Sequence, residues 1–135
     1  MIIKTADDKN PEISALEALC SRPDVSPDVR KRIEQEIRNV RAGIKGEKDA
    51  AYEIDFHFGT TKNYAIIHDL RIECEGRVAQ IDHLLIGRFL DMWICETKSF
   101  SEGIAINDHG ECSRYFGNKP SGMASPFEQN KKHIM

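Results

Sequence analysis

At 135 residues the chain has a single-domain length, and folding should bury roughly two thirds of the surface its unfolded form exposes. An apolar share of 40% beside a charged share of 30% excludes a disordered chain, and no apolar run nears the roughly 18 residues that span a bilayer. A formal net charge of −3 argues against coating nucleic acid through a basic surface, although a site made of carboxylates is acidic by construction.

The first residues, Met1-Ile2-Ile3-Lys4, give way to Asp7, Asp8 and Lys9, which is not a signal peptide, so a cytoplasmic protein without a membrane span is expected. A short helix begins near Pro11, with Ile13, Leu16, Leu19 and Cys20 on one side, and the stretch 22–27 breaks it. Residues 1–25 therefore read as an N-terminal helical extension, and 26–135 as the main domain. Ser26 caps a second helix with Pro27 at its first position. This helix should run over 27–58, with apolar positions Val29, Ile33, Ile37, Val40, Ile44, Ala51, Ile54 and Phe58. Its stripe has one gap. Glu47 fills it, so a carboxylate lies on the face that should be buried, between Gly43 and Gly46 on one side and Ala51 on the other. Glycines there allow close approach of another backbone or a ligand. The basic residues from Arg30 to Lys48 alternate with acids and read as a solvated helix face.

Residues 59–63 read as a loop. Strands follow over 66–74, 78–86 and 89–98, the first two joined by a turn at Glu75-Gly76, with shorter strands at 103–107 and 112–116. A loop spans 117–125, and Ser125-Pro126-Phe127-Glu128 opens a last helix over 126–135. The order points to an α/β or α+β fold in which a sheet within 65–116 packs against helices. Cys20, Cys74, Cys95 and Cys112 lack the spacing of a disulfide framework and are expected as buried, reduced thiols. His109 and Cys112 have a ligand-like interval but no second pair, so zinc is not expected.

The chemistry concentrates on the second and third strands. Glu96 and Lys98 are two apart and leave the same face, shared with Leu90, Met92 and Ile94 and taken as the core side. Asp82 shares a face with Val78, Gln80, Leu84 and Ile86, whereas His83 and Trp93 have the opposite parity. A two-residue turn at Gly87-Arg88 would put Asp82 and Glu96 on opposite faces. A three-residue connection over 87–89 pairs Leu84 with Met92, Asp82 with Ile94 and Gln80 with Glu96. The two carboxylates then become diagonal neighbours at roughly 7–8 Å between α-carbons. If the long helix covers that face, Glu47 joins them. Oxygen-only ligands select Mg²⁺ or Mn²⁺ over zinc. Asp82, Glu96 and the backbone carbonyl of Thr97 are the expected ligands, with Glu47 binding or orienting water or a second ion. Lys98 would stabilise the attacking hydroxide and the developing charge.

These motifs resemble a family. Gly46-Glu47, Gln80-Ile81-Asp82-His83, Glu96-Thr97-Lys98 and Ser125-Pro126-Phe127-Glu128-Gln129 are similar to successive signatures of the nuclease-related (NERD) domain of the PD-(D/E)XK superfamily. The resemblance covers about 43–135. It implies a restriction-endonuclease-like core, a mixed sheet flanked by helices, and a metal-dependent phosphodiesterase acting on nucleic acid, DNA before RNA. Glu47, Asp82, Glu96 and Lys98 match the family's catalytic positions, and Gln80 and Gln129 match polar positions that orient ligand or substrate. Ser125 stands where the family usually has Asn, and Ser also caps helices. The chain stops at Met135, in or just after a helix that the family follows with a further strand, so a C-terminally truncated domain is expected. Two rival readings remain: a non-catalytic module that keeps the fold and binds nucleic acid or protein, and a structural domain with a satisfied buried charge network.

Overall fold

The computed structural model describes residues 1–134, with side chains as far as Lys131. The elements run β1 (Ile2–Lys4), α1 (Asn10–Cys20), α2 (Pro27–Phe58), β2 (Tyr64–Cys74), β3 (Arg77–Gly87), β4 (Met92–Cys95), β5 (Ile104–Ile106), β6 (Cys112–Phe116), β7 (Lys119–Met123) and α3 (Pro126–Ile134). They build an α+β fold. A four-stranded sheet has the order β1-β2-β3-β4, and β5-β6-β7 form a separate three-stranded sheet. The main sheet is mixed, because β1 runs parallel to β2 while the other pairs are antiparallel. Residue 135, expected to end the last helix, lies outside the described residues.

The long helix starts as its sequence dictates. Ser26 is extended, its hydroxyl accepts from the Val29 N–H, and Pro27 occupies the first turn. Ile33, Ile37 and Ala51 of the apolar stripe are buried; on the sheet, Ile66, Ile81 and Leu85 are buried on the face that His68 and His83 share, and Leu84 is buried on the opposite face. The basic face stays outside, where Lys45 pairs with Asp49 and Arg41 pairs with Glu17 of α1. α1 lies on α2 with Ile13, Leu16 and Cys20 half-buried, whereas Leu19 is exposed.

β2 and β3 form the longest ladder, from Tyr64↔Gly87 to Cys74↔Arg77. Glu75 and Gly76 both have positive φ, 50° and 74°, the signature of a two-residue type I′ turn whose twist matches that of the strands. The β3–β4 connection is also tight. Gly87 N–H donates to the Asp91 carbonyl at 2.8 Å and Leu90 N–H to the Gly87 carbonyl at 2.9 Å, which leaves Arg88, Phe89 and Leu90 in the loop. Leu90 takes φ 65°, the left-handed position that normally closes a three-residue hairpin loop.

The register differs from the expected one by two residues. Leu84 pairs with Ile94 and Ile86 with Met92, because the loop runs over 88–90 rather than 87–89 and β4 begins later. An even shift preserves which face each side chain takes. The expected core side fails at the tip of this hairpin: Leu90 and Met92 are 81% and 68% exposed, whereas Leu84 is buried and Ile86 and Ile94 are half-buried on the same face. β4 is a four-residue edge strand, and the recorded hydrogen bonds from α3 reach Ile94 and Glu96 rather than the hairpin tip. Trp93, also expected to pack, is likewise exposed.

Three further differences matter. Ile2–Lys4 form an edge strand on β2, so the first residues join the sheet, and the Met1 ammonium donates to the Thr61 and Tyr64 carbonyls at 2.6 Å each. Lys119–Met123, read as loop, is β7, a strand in a Gly- and Pro-containing stretch whose pairing with β6 outweighs its poor intrinsic propensity. All four cysteines are free thiols, but Cys112 is buried, Cys20 and Cys95 are half-buried, and Cys74 at the end of β2 is exposed. Among the described residues no helix is long and apolar enough to cross a membrane.

A leucine in the left-handed region costs about 1–2 kcal/mol relative to glycine's freedom there. Leu90→Gly is therefore expected to raise stability by about 1 kcal/mol. Urea unfolding checks this, since Leu90 is too exposed for lost packing to cancel the gain.

Candidate functional site

Asp82 and Glu96 meet across β3 and the residues just past β4. The last recorded pair is His83↔Cys95, so the next step of the ladder brings Asp82 opposite Glu96. The ladder stops there because a side chain replaces the backbone bond: Asp82 Oδ2 accepts from the Thr97 N–H at 2.8 Å. Glu96, its side chain only 11% exposed, accepts from Lys98 Nζ at 2.8 Å. Gln129 of α3 reaches the same Glu96 oxygen at 3.4 Å, and Asn130 donates to the Ile94 carbonyl at 3.2 Å. Asp82, Glu96, Thr97, Lys98 and Gln129 are thus brought together. Gln80 sits two residues along β3, exposed and opposite Arg71.

Glu47 lies in another group. Its carboxylate is ion-paired with Lys9, whose ammonium also binds Asp69 at 3.0 Å. These three line a small cleft with Ala6, Asp7, Ile44, Lys48 and His83. No polar contact recorded among the described residues joins Glu47 to Asp82, Glu96 or Lys98. Nor do any three or more His, Cys, Asp or Glu side chains of those residues cluster as a metal cage. Gly46 does serve close approach: a Cβ there would stand 3.3 Å from Ser99 Cβ and 3.5 Å from Thr97 Cγ2. Gly43 has nothing within 4 Å, so its role is not the expected one.

The sequence reading missed Lys9, Asp55, His68 and Asp69. His68 and His83 are cross-strand partners, 1% and 3% exposed, with their Nδ1 atoms 2.8 Å apart. His68 Nε2 lies 2.9 Å from Asp55 Oδ1 of α2, and His83 Nε2 lies 3.0 Å from Thr97 Oγ1. Asp69 has φ 49°, and its carboxylate accepts from the Asp7 N–H at 2.8 Å. The parity of His83 was readable, as was its place away from the Asp82 face; its partners were not, because nothing local points to residues 55 and 68.

Charge compensation explains how these groups are tolerated in a partly buried setting. Burial would lower Lys9, but its hydrogen bonds and charge attraction to Glu47 and Asp69 prevail and hold it above its ordinary 10.5. Burial would raise Asp69, but the Asp7 N–H and the Lys9 ammonium hold it below its ordinary 3.8. Burial pushes His83 below its ordinary 6.5, and His68 adds to this against the attraction of Asp82 and Asp69.

The NERD (nuclease-related) domain model matches residues 42–135, more than two thirds of the chain. The chain belongs to the nuclease-related domain family. The α+β architecture with a mixed sheet agrees with that membership. No curated protein and no solved structure gives a significant match. Within the nuclease-related domain fall Glu47, Asp82, Glu96, Lys98 and Gln129, whereas Lys9 lies before it.

A pH series follows from these shifts. The unfolded chain takes up a proton near 6.5 that buried His83 resists, so the stability from keeping it neutral is complete above that pH and is lost as pH falls below it. Asp69 contributes above 3.8 and loses its contribution as pH falls through its lower folded value. Lys9 contributes below 10.5 and loses it as pH rises through its higher folded value. The urea midpoint should therefore decline as pH falls below about 6.5, and His83→Gln, less stable throughout, should flatten that decline. An equally steep slope in His83→Gln would show that another group causes it.

Proposed function

We propose that this protein is a divalent-metal-dependent endonuclease that hydrolyses phosphodiester bonds of nucleic acid, DNA before RNA, in the cytoplasm. The observation that carries the reading is the meeting of Asp82 and Glu96 beside Lys98 in a nuclease-related domain. The donors suit the cofactor. Asp82, Glu96 and the Thr97 carbonyl are hard oxygen ligands, and Mg²⁺ is commonly bound by one or two carboxylates plus waters and substrate phosphate rather than by an all-protein cage. Two protein carboxylates without a third are therefore sufficient. Mg²⁺ or Mn²⁺, when bound, would supply a Lewis acid for the phosphate and lower the pKa of a bound water.

The remaining roles belong to side chains. Lys98, now neutralising Glu96, stabilises hydroxide and the charge that develops on phosphate. The role assigned to Glu47, orienting water or a second ion, requires its carboxylate to leave Lys9 and reach past Thr97 from the helix side. Gln129, already at Glu96, and the exposed Gln80 orient the substrate. One observation favours a second reading, a binding module that kept the fold without catalysis: the Glu47 carboxylate is already satisfied by the chain's own Lys9.

Nicking of supercoiled plasmid tests the choice. Wild type with Mg²⁺ or Mn²⁺ should nick, chelation should stop it, and Lys98→Ala and Asp82→Ala should each lower the rate at least about 100-fold. Equal nicking by both variants refutes their roles. Metal binding by calorimetry without cleavage of any DNA or RNA substrate favours the module.

A further inference from the structure

A hydrogen-bonded chain that none of the roles above uses ends on the proposed metal-binding segment. It runs from Asp55 Oδ1 to His68 Nε2 (2.9 Å), from His68 Nδ1 to His83 Nδ1 (2.8 Å), from His83 Nε2 to Thr97 Oγ1 (3.0 Å), and from the Thr97 N–H to Asp82 Oδ2 (2.8 Å). We propose that Asp55, His68 and His83 are positioning residues that fix Thr97 between Glu96 and Lys98, so that its N–H holds Asp82 and its carbonyl is presented to a divalent cation. The role of that carbonyl rests on the phosphodiesterase reading above.

The chain has one polarity when both rings are neutral. A carboxylate only accepts, so His68 carries its proton on Nε2 and offers the Nδ1 lone pair. His83 must then donate from Nδ1, which leaves its Nε2 as an acceptor, and the Thr97 hydroxyl donates to it. Every ring nitrogen is used, and both rings are almost fully enclosed. Imidazoles kept for packing alone would not need this complete pairing, since apolar side chains fill such a volume without desolvating polar atoms.

Thr97 is held at both branches of its side chain. Its hydroxyl is on His83, and its methyl faces Gly46, where a Cβ would stand at 3.5 Å. A β-branched residue gripped at both branches has one rotamer available, which limits rotation of the adjoining peptide. The chain therefore couples Asp55, in the last turns of α2, to the backbone at Thr97 just past β4.

Substitution at position 97 separates positioning from packing. Thr97→Val keeps the shape and the methyl but removes the hydroxyl; Thr97→Ser does the reverse. With the full chain and Mn²⁺ as the probe, calorimetry should show Thr97→Val binding about 10-fold more weakly, as for lost outer-shell partners of metal ligands, and Thr97→Ser recovering most of the affinity. Asp55→Ala should weaken Mn²⁺ in the same direction. Nitrogen NMR of the imidazoles should show His68 protonated at Nε2 and His83 at Nδ1. Wild-type affinity in Thr97→Val, or His83 protonated at Nε2, overturns the proposal while leaving the phosphodiesterase reading standing. Absence of Mn²⁺ binding by wild type sinks both.

Discussion

The two-residue turn at Glu75-Gly76 sets the phase of the whole sheet. With both residues in the left-handed region, Cys74 must pair with Arg77, and every later pair of the β2–β3 ladder follows, including His68 opposite His83. A slip of one residue would turn His83 away from α2 and send Asp82 into its place. The chemistry of both faces therefore depends on a turn remote from either. β4 inherits the same phase through the 88–90 loop, which is how Asp82 and Glu96 come to face each other.

Charge is placed on these faces in compensated sets. Glu96 is met by Lys98, Asp82 by a backbone N–H, and Glu47 with Asp69 by one lysine. Each set avoids the several kcal/mol that an unpaired charge would cost on partial burial. Thr97 stands between them: its backbone serves the Asp82 side and its hydroxyl the helix side. The sheet at this point is one residue thick, so the two polar groups are separate in space but share that residue.

Much of the fold was legible because it is local. The Ser26-Pro27 cap, the stripe from Ile33 to Ala51, the Glu75-Gly76 turn and the parity of Asp82 with its strand follow from periods and turn chemistry. Glu47 was visible as a gap in an apolar stripe, since a carboxylate there has to be answered by something. What answers it was not visible. Lys9 is 38 positions away and enters through a segment that carries no pattern of its own. β1 was too short to show alternation, β7 runs against propensity, and the hairpin register turned on where a three-residue loop starts. His68 and Asp55 are ordinary residues until pairing and packing bring them together.

The segment matched by the family begins at residue 42, yet the first forty residues are bound into the structure at several points. β1 covers the open edge of β2, Glu17 holds Arg41, and Lys9 neutralises two carboxylates of the matched segment. The limit of homology is therefore not a limit of cooperative folding. A chain cut there would present a bare strand edge, an invitation to self-association, and two neighbouring anions without their tethered cation. The strand, helix and lysine that precede the matched segment therefore belong to the same architecture as the segment itself.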